Sequence, residues 1–333
     1  MYIELKTVKR FFYTILITVL IGVSFGLFLL YGPIENFRTF LVTSAMTTLN
    51  HKWLATTFYD NDIIYKILDN NSTTQPNSKT NDDEIDFDKI NNITDELVKR
   101  DGNEPIKVVK IVRNGFVGFM TIVYNPTKVK LGVTNNLFKG GEQPVTVAKK
   151  NNALALINAS GFIDIDGHGD GGTPTGIVIH NSEVIYDVKM PQTIHNIIGF
   201  NDKHKLILGK YTNDQAKENN IVDGVEFGPF LIVNGVPCTI KGNGGWGLAP
   251  RTAIGQRNDG IVLFLTIDGR QPGYSIGASM KDVLNLMIEY GAHNAANLDG
   301  GSSSILVYKG TRLNTPSSKG GDRSIPNWFM VTQ

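Results

Sequence analysis

The sequence predicts an α+β or mixed α/β protein, in which a mixed β-sheet domain with a C-terminal βαβ unit follows a single N-terminal transmembrane helix. Three observations lead to this prediction. An uncharged apolar run lies near the N-terminus, short β-rich segments separated by turns fill the middle, and a strand–helix–strand pattern follows in the last third. At 333 residues, the chain is long enough for one large domain or two ordinary ones.

The composition excludes several classes of protein. The chain has 32 basic and 31 acidic side chains, a formal charge of +1, and therefore no excess of positive charge for a nucleic-acid partner. Its one cysteine, Cys238, excludes an internal disulfide framework and a thiolate zinc cluster.

The apolar run covers residues 11–30, which carry no charge. As a helix, this run is about 30 Å long, the thickness of one hydrocarbon core. Residues 1–10 form a basic flank that is expected to stay in the cytoplasm, so residues 11–31 are predicted as a signal anchor with the remaining chain outside the cell membrane. A cleaved signal peptide and a buried core helix are the alternatives. No small-residue cleavage site closely follows Leu30, which favours the anchor.

Two segments separate this anchor from the main domain. Residues 32–68 are moderately apolar and are predicted as a juxtamembrane segment with a short helix. Residues 69–104 are rich in Asn, Asp, Ser and Thr. Because such a composition buries too little apolar area to offset the entropy of ordering, these residues are predicted as a polar linker.

The main domain is predicted over residues 105–333. Apolar and β-branched runs indicate strands at residues 107–113, 116–124, 128–133, 153–158, 177–180, 206–208 and 230–233. Asn234 and Gly235 form a favoured two-residue hairpin turn. Turns rather than helical patterns separate these strands, which favours an antiparallel or mixed sheet.

The last third predicts a βαβ unit. Residues 261–267 form a continuous apolar strand, Ser279 and Asp282 resemble a capping box, and Gly291 is well placed to end the helix. A second strand, at residues 295–298, is expected to run parallel to the first.

Asp268 and Asp299 follow the two strands of this unit, and each precedes glycine. Ligands of α/β sheets bind at the carboxyl ends of strands. The spacing of neighbouring strands places the two carboxylates about 5–10 Å apart, a range used for acid–base work on glycosyl bonds. Both are therefore predicted as catalytic, against the alternative of two turn-forming Asp-Gly pairs. The following loop contains Gly300, Gly301, Ser302 and Ser303, whose amides and hydroxyls suit a phosphate or a sugar.

A glycine-rich loop follows residues 153–158 and contains Asp164, Asp166 and Asp170 as candidate metal ligands, with calcium as the expected ion. Thr175 stands where a calcium loop of EF-hand type needs its last acidic ligand, and an ordinary surface loop is the alternative. His168 is a candidate substrate contact.

Other candidate binding residues lie between these regions. Arg251 and Arg270 suit bidentate contacts to phosphate. Trp246, in a glycine-rich loop, suits sugar stacking, with ordinary packing as the alternative. Glu226 and His195 are expected to face the same cleft.

Five blocks carry a resemblance to a known family: NASGF (158–162), EFGPFLIVNG (226–235), PRTAIGQ (250–256), TIDGR (266–270) and NLDGGSSS (297–304). In their order along residues 105–333 they resemble the phosphodiester glycosidase family. That resemblance implies cleavage of a sugar-1-phosphate diester. It also implies a site lined by six residues, which are Asn158, Arg251, Asp268, Arg270, Asp299 and Ser302. Ser160 departs from the family's glycine-rich pattern.

Together, these observations predict a membrane-anchored, extracytoplasmic hydrolase that acts on a phosphate-linked glycan of the cell envelope or of an exopolysaccharide. Asp299 is expected to be the nucleophile or base with Asp268 as its partner, while Arg251 and Arg270 hold the phosphate. This chemistry is expected to require no cofactor, and a divalent cation such as calcium is the candidate additional ligand. A non-catalytic glycopolymer-binding protein and a glycosyl-phosphate transferase are the alternatives.

Overall fold

The computed structural model describes residues 2–48, 51–164, 170–187, 192–318 and 320–333. The chain divides into two compact units, Met1–Asn71 and Ser72–Gln333.

The first unit is helical. It contains α1 (Tyr2–Tyr31), α2 (Glu35–Met46), α3 (Trp53–Thr56) and α4 (Asn61–Asn70). Within α1, Thr7–Tyr31 is long and apolar enough to cross a membrane, and none of its apolar window is buried in the protein. Helices α2 to α4 share a small core that includes Val42, Ala55 and Ile64.

Among its described residues, the second unit holds the strands and three further α-helices. The strands are β1 (Thr73–Thr74), β2 (Ile106–Arg113), β3 (Phe116–Val123), β4 (Val129–Val133), β5 (Ala155–Asn158), β6 (Val178–His180), β7 (Glu183–Tyr186), β8 (His195–Asn201), β9 (Leu206–Tyr211), β10 (Ile221–Glu226), β11 (Phe230–Val233), β12 (Val236–Pro237), β13 (Thr239–Ile240), β14 (Arg251–Arg257), β15 (Val262–Ile267), β16 (Ala292–Leu298), β17 (Leu306–Tyr308), β18 (Thr311–Arg312) and β19 (Asn327–Val331). The helices are α5 (Pro144–Lys150), α6 (Asn213–Glu218) and α7 (Met280–Glu289), and Gly301–Ser303 forms a short 3₁₀ turn.

These strands form open sheets and, with the helices, give the mixed α and β fold that the sequence predicts. A seven-stranded sheet has the order β12-β11-β16-β14-β15-β3-β2. Two five-stranded sheets have the orders β7-β6-β10-β8-β9 and β18-β17-β5-β19-β4, and β1 pairs with β13. In the described part of the chain, every pairing of neighbouring strands is antiparallel.

The central strands of the seven-stranded sheet are buried on both faces. On one face, Phe264 joins a core that contains Phe200 and Phe329 from the two five-stranded sheets. On the other face, Leu263 packs in a cluster with Met287 of α7. This two-sided burial accounts for the continuous apolar sequence of β15, because neither face of the strand meets water.

The predicted βαβ unit is present as β15, α7 and β16, with one difference in its arrangement. Helix α7 begins at a capping box formed by Ser279 and Asp282, as the sequence indicated. Strand β14 pairs antiparallel with both β15 and β16, so these two run parallel but are not neighbours. Their ends are therefore about 9–10 Å apart, two strand spacings rather than one. A hairpin strand inserts between them, which local sequence patterns do not reveal.

Residues 72–104 belong to the second unit and do not form the solvated linker that their composition predicts. Ile85 and Val98 are 2% and 0% exposed. Thr80 Oγ1 accepts a hydrogen bond from the Leu208 amide at 2.9 Å, and β1 pairs with β13. A few apolar side chains and backbone pairings stabilise this polar segment on the domain, and these contacts are invisible in its average composition.

Candidate active site

Four strand termini meet at one edge of the second unit. Arg251, at the start of β14, pairs in register with Ile267 at the end of β15, and Thr252 pairs with Leu298 at the end of β16. The first residue after β16 is Asp299, whose amide donates to the Ala159 carbonyl, just beyond β5, at 3.0 Å. The candidate residues that follow these strands therefore lie close together.

Asp299 is a half-buried residue whose carboxyl group has a raised pKa. Burial raises its pKa to about 7, while hydrogen bonds from the Ser303 side chain and the Gly300 backbone, and the charge of Arg270, oppose that rise. A carboxyl group with this pKa exchanges a proton near neutral pH, which suits an acid or base catalyst.

Arg270 supplies positive charge beside Asp299. Its side chain is exposed, and Nη1 lies 3.4 Å from Oγ of Ser302. A Cβ atom at Gly301 would come within 3.2 Å of the guanidinium, so glycine leaves room for it. Arg270 and the Gly301–Ser303 turn thus present donors at one place, an arrangement that fits an anionic group.

Arg251 is buried, with 4% of its surface exposed. Nε donates to the Ala278 carbonyl at 3.0 Å, and Nη2 donates to the carbonyls of Trp246 and Gly247 at 2.7 and 2.8 Å. Burial and the nearby charge of Arg270 lower its pKa to about 9. These contacts make Arg251 the support of the Trp246 loop, and its predicted phosphate contact remains a prediction.

Asp268 is 1% exposed, and both of its carboxylate oxygens accept hydrogen bonds. Oδ1 accepts hydrogen bonds from Asn314 Nδ2 and the Thr315 amide, both at 2.9 Å, while Oδ2 accepts one from Tyr274 Oη at 3.0 Å. Burial raises its pKa against these hydrogen bonds. These contacts link the turn after β15 to the loop at Asn314 and Thr315, and the predicted catalytic role of Asp268 remains a prediction.

Asn158 is 1% exposed and contacts the backbone of Asp299. Nδ2 donates to the Asp299 carbonyl at 2.6 Å, while Oδ1 accepts from Thr252 Oγ1 at 2.8 Å and from the Ile305 amide at 3.2 Å. Because these contacts use both ends of its amide, Asn158 orients the backbone of Asp299 rather than facing a substrate.

Glu226 and Trp246 line an open cleft of about 380 Å³. The other lining residues are Gln75, Thr175, Asn196, Phe227, Gly228 and Pro229. The segment directly after β5, residues 159–161, contacts both Asp299 and Thr175 of the cleft. There the Gly161 carbonyl accepts from the Thr175 amide at 3.0 Å, two residues beyond the Ala159 carbonyl that binds the Asp299 amide. A larger cavity of about 460 Å³, near the C-terminus, has no acidic residue in its lining.

A buried histidine lies behind Glu226. His195 is 0% exposed, and its Nδ1 lies 2.8 Å from Oε2 of Glu226. On the other side of the ring, Nε2 lies 3.5 Å from Oδ2 of Asp187. The imidazole therefore lies between a carboxylate of the cleft and a second carboxylate.

The predicted metal loop is only partly described. Asp164 forms an ion pair with Arg323, whose guanidinium stacks over the Phe162 ring at 5.0 Å. Asp170 is exposed, while Asp166 and His168 lie outside the described residues. Within the residues that the structure does describe, no group of three His, Cys, Asp or Glu side chains is placed to hold a metal. The calcium site remains a prediction.

Three residues of this region were missed by sequence reasoning: Gln75, Asn196 and Asp187. Gln75 lies in the segment that composition assigns to a linker, and the other two carry no local motif. Only the tertiary structure brings Gln75 and Asn196 to the cleft and Asp187 to His195.

Comparison with known proteins finds one family, one relative and two solved structures of similar fold. A family model described as phosphodiester glycosidase matches residues 151–332. The SPbeta prophage-derived uncharacterized protein YomE of Bacillus subtilis is 28% identical over 215 residues, which are 62% of this chain and 31% of that protein. The chain therefore spans about a third of the length of this relative.

Among solved structures, the auto-inhibited catalytic domain of zebrafish N-acetylglucosamine-1-phosphodiester alpha-N-acetylglucosaminidase is similar in fold. Its TM-score is 0.55 at 19% identity, covering 70% of this chain and 85% of that domain. A hypothetical protein from Synechocystis gives a TM-score of 0.49 at 17% identity, covering 69% of this chain and 62% of that one.

Proposed function

Since the chain belongs to the phosphodiester glycosidase family, we propose that it hydrolyses the bond between a sugar's anomeric carbon and the phosphate of a sugar-1-phosphate diester. The oxygen of water bonds to the anomeric carbon, and the carbon–oxygen bond to phosphate breaks with its electron pair moving to the phosphate. The products are a free sugar and a phosphomonoester. The observation that carries this proposal is the Asp299 carboxylate, with a pKa of about 7, beside the Arg270 guanidinium.

Asp299 acts in this proposal as the general base that takes the proton of the attacking water. A base works best when its pKa lies near the working pH, because it is then both ionised and a strong enough proton acceptor. With a pKa of about 7, Asp299 meets this condition. Asn158 holds its backbone carbonyl at 2.6 Å and keeps the carboxylate in place.

Arg270 and the turn at Gly301–Ser303 receive the phosphate. Arg270 is an exposed residue whose guanidinium lies beside Ser302, so its donors are placed to receive a diester. Positive charge and backbone donors at the departing phosphate stabilise the charge that develops there. A phosphate is already a good leaving group, so the reaction does not need a strong general acid.

Glu226, rather than Asp268, is proposed as the second functional carboxylate. The hydrogen bonds to the Asp268 carboxylate join the turn after β15 to the loop at Asn314 and Thr315, whereas Glu226 lines the open cleft next to Trp246. A carboxylate at the sugar stabilises the positive charge of an oxocarbenium-like transition state and accepts hydrogen bonds from hydroxyls. The indole of Trp246 offers an apolar wall for the sugar ring.

The proposed setting is the outer face of the cell membrane. Thr7–Tyr31 fits a signal anchor or a signal peptide, and basic residues precede its apolar part. The substrate is then a phosphate-linked glycan of the envelope or of an exopolysaccharide, and no cofactor is needed for the steps above.

The test is incubation of the full-length protein, in detergent, with a panel of sugar-1-phosphate diesters, with and without a chelator. Free sugar and phosphomonoester should appear in equal amounts, and the variant D299N should form neither at a comparable rate. Sugar transferred to an added alcohol, without hydrolysis, would assign the protein as a transferase. Glycan binding without turnover would overturn the enzymatic proposal.

A further inference from the structure

We propose that the cleft beside Glu226 is a subsite for a hydroxyl or carbonyl oxygen of the glycosyl unit, and that Gln75 sets its specificity by orienting Asn196. Gln75 precedes the stretch that matches the family, residues 151–332. The proposal deepens the proposed function and rests on it for the place of this subsite in a reaction.

The segment around Gln75 is attached to the domain on both sides. Before it, β1 pairs with β13, and Thr73 Oγ1 donates to the Gly244 carbonyl at 2.9 Å, close to the Trp246 loop. After it, the Thr80 amide donates to the Leu208 carbonyl at 2.9 Å. Gln75 is therefore a defined part of the cleft wall.

The hydrogen bonds of Gln75 determine the orientation of two side-chain amides. Its Oε1 accepts from the Phe230 backbone amide at 3.2 Å, and a backbone N–H is always a donor. Nε2 of Gln75 must then be the end that donates to Oδ1 of Asn196, at 3.1 Å. Since Oδ1 of Asn196 is engaged, the Nδ2 donor is the group that Asn196 offers to the cleft.

The charge of the cleft favours a sugar over a phosphate. Glu226 is the one charged side chain among the residues that line it, and it is negative. A phosphate is repelled there and is drawn instead to Arg270. Hydroxyl groups find acceptors at Glu226, while a hydroxyl or carbonyl oxygen of the sugar accepts from Asn196 Nδ2, and Phe227, Pro229 and Trp246 provide apolar surface.

Two nearly isosteric changes test this arrangement. In N196D, an oxygen replaces the donor. In Q75E, the second carboxylate oxygen cannot donate to Asn196, so the Asn196 amide turns and presents its oxygen to the cleft. We expect each variant to weaken glycosyl binding by about 10-fold or more, because a site built to donate a hydrogen bond then opposes the ligand's oxygen with an acceptor.

The probes are glucose-1-phosphate, galactose-1-phosphate and N-acetylglucosamine-1-phosphate, with inorganic phosphate as the reference. Binding to the full-length protein in a sugar-free detergent is followed by saturation-transfer NMR, which does not require turnover. Both variants should lose affinity for the sugar phosphates, keep the affinity for inorganic phosphate, and melt near the wild-type temperature. S78A, at an exposed position in the same segment and outside the cleft lining, is the matched control and should bind as wild type.

Equal binding of the sugar phosphates to wild type, N196D and Q75E would overturn the subsite, as would the absence of sugar-phosphate binding to wild type. If N196D and Q75E weaken sugar-phosphate binding as expected but the wild-type protein hydrolyses no diester, the subsite is upheld and the proposed function is refuted. The two proposals therefore fail in distinguishable ways.

Discussion

His195 Nδ1 lies 2.8 Å from Oε2 of Glu226, although the imidazole is entirely buried and the carboxylate lines an open cleft. Asp187 lies on the far side of the ring, 3.5 Å from Nε2. A carboxylate supported in this way has a defined direction before any substrate arrives. Such preorganisation is valuable where a group must meet developing charge.

This relationship gives a first prediction, for Glu226 itself. E226Q keeps the size of the side chain but removes its charge, and we expect kcat to fall by about 100- to 10,000-fold.

His195 acts through Glu226 as a positioning residue. H195L should lower kcat by about 10- to 100-fold with little change in KM, and H195Q, which restores a polar partner, should recover part of the loss. Steady-state kinetics on one diester, with melting temperatures, checks both; an H195L variant with wild-type kcat would contradict the positioning role.

For Asp268, we predict that substitution lowers stability but leaves kcat unchanged. D268N replaces one of two oxygens that accept hydrogen bonds from Asn314, Thr315 and Tyr274. We expect a loss of about 1–3 kcal/mol in the free energy of unfolding, or roughly 2–10 °C in Tm. The correctly folded fraction should retain its kcat, because Asp268 supports a turn. Y274F, which removes one donor only, is the milder control, and a large fall in kcat at unchanged Tm would restore Asp268 as a catalytic group.

The contrast between these two aspartates shows what sequence can and cannot reveal. The capping box of Ser279 and Asp282, the hairpin turn at Asn234 and the buried strand β15 were all confirmed, because each depends on residues close together in the chain. Asp268 and Asp299 have the same local sequence, Asp-Gly. Their environments differ through tertiary contacts, and the insertion of β14 between β15 and β16 is equally non-local.

The two arginines provide a third prediction. R270A removes the exposed cation at the proposed phosphate position, so kcat/KM should fall by about 100- to 1,000-fold with Tm unchanged. R251A leaves the carbonyls of Trp246, Gly247 and Ala278 without their donor and should lower Tm as well. R113A, an exposed arginine paired with Glu289, controls for loss of surface charge. Wild-type kcat/KM in R270A would remove Arg270 from the phosphate site.

The pKa of Asp299 predicts the acid side of the activity profile. As the general base, Asp299 must be ionised, so kcat should fall about tenfold per pH unit below an apparent pKa near 7. R270A should move this apparent pKa upward, since the Arg270 charge lowers the pKa of Asp299. Rates between pH 5 and 9 on one diester provide the measurement. A profile that stays flat down to pH 5 would exclude Asp299 as the base.

The same pKa predicts how stability changes with pH. Asp299 titrates at about 7 in the folded protein, against an ordinary value of 3.8 that represents the unfolded chain. Between these values the folded state binds more protons than the unfolded state, so wild-type stability falls as pH rises through this window. D299N lacks the titrating group. We therefore expect its Tm relative to wild type to rise between pH 4 and pH 7 and to level off above that range. Thermal melts of the two proteins at matched pH measure this difference, and a Tm difference independent of pH would show that Asp299 has an ordinary pKa.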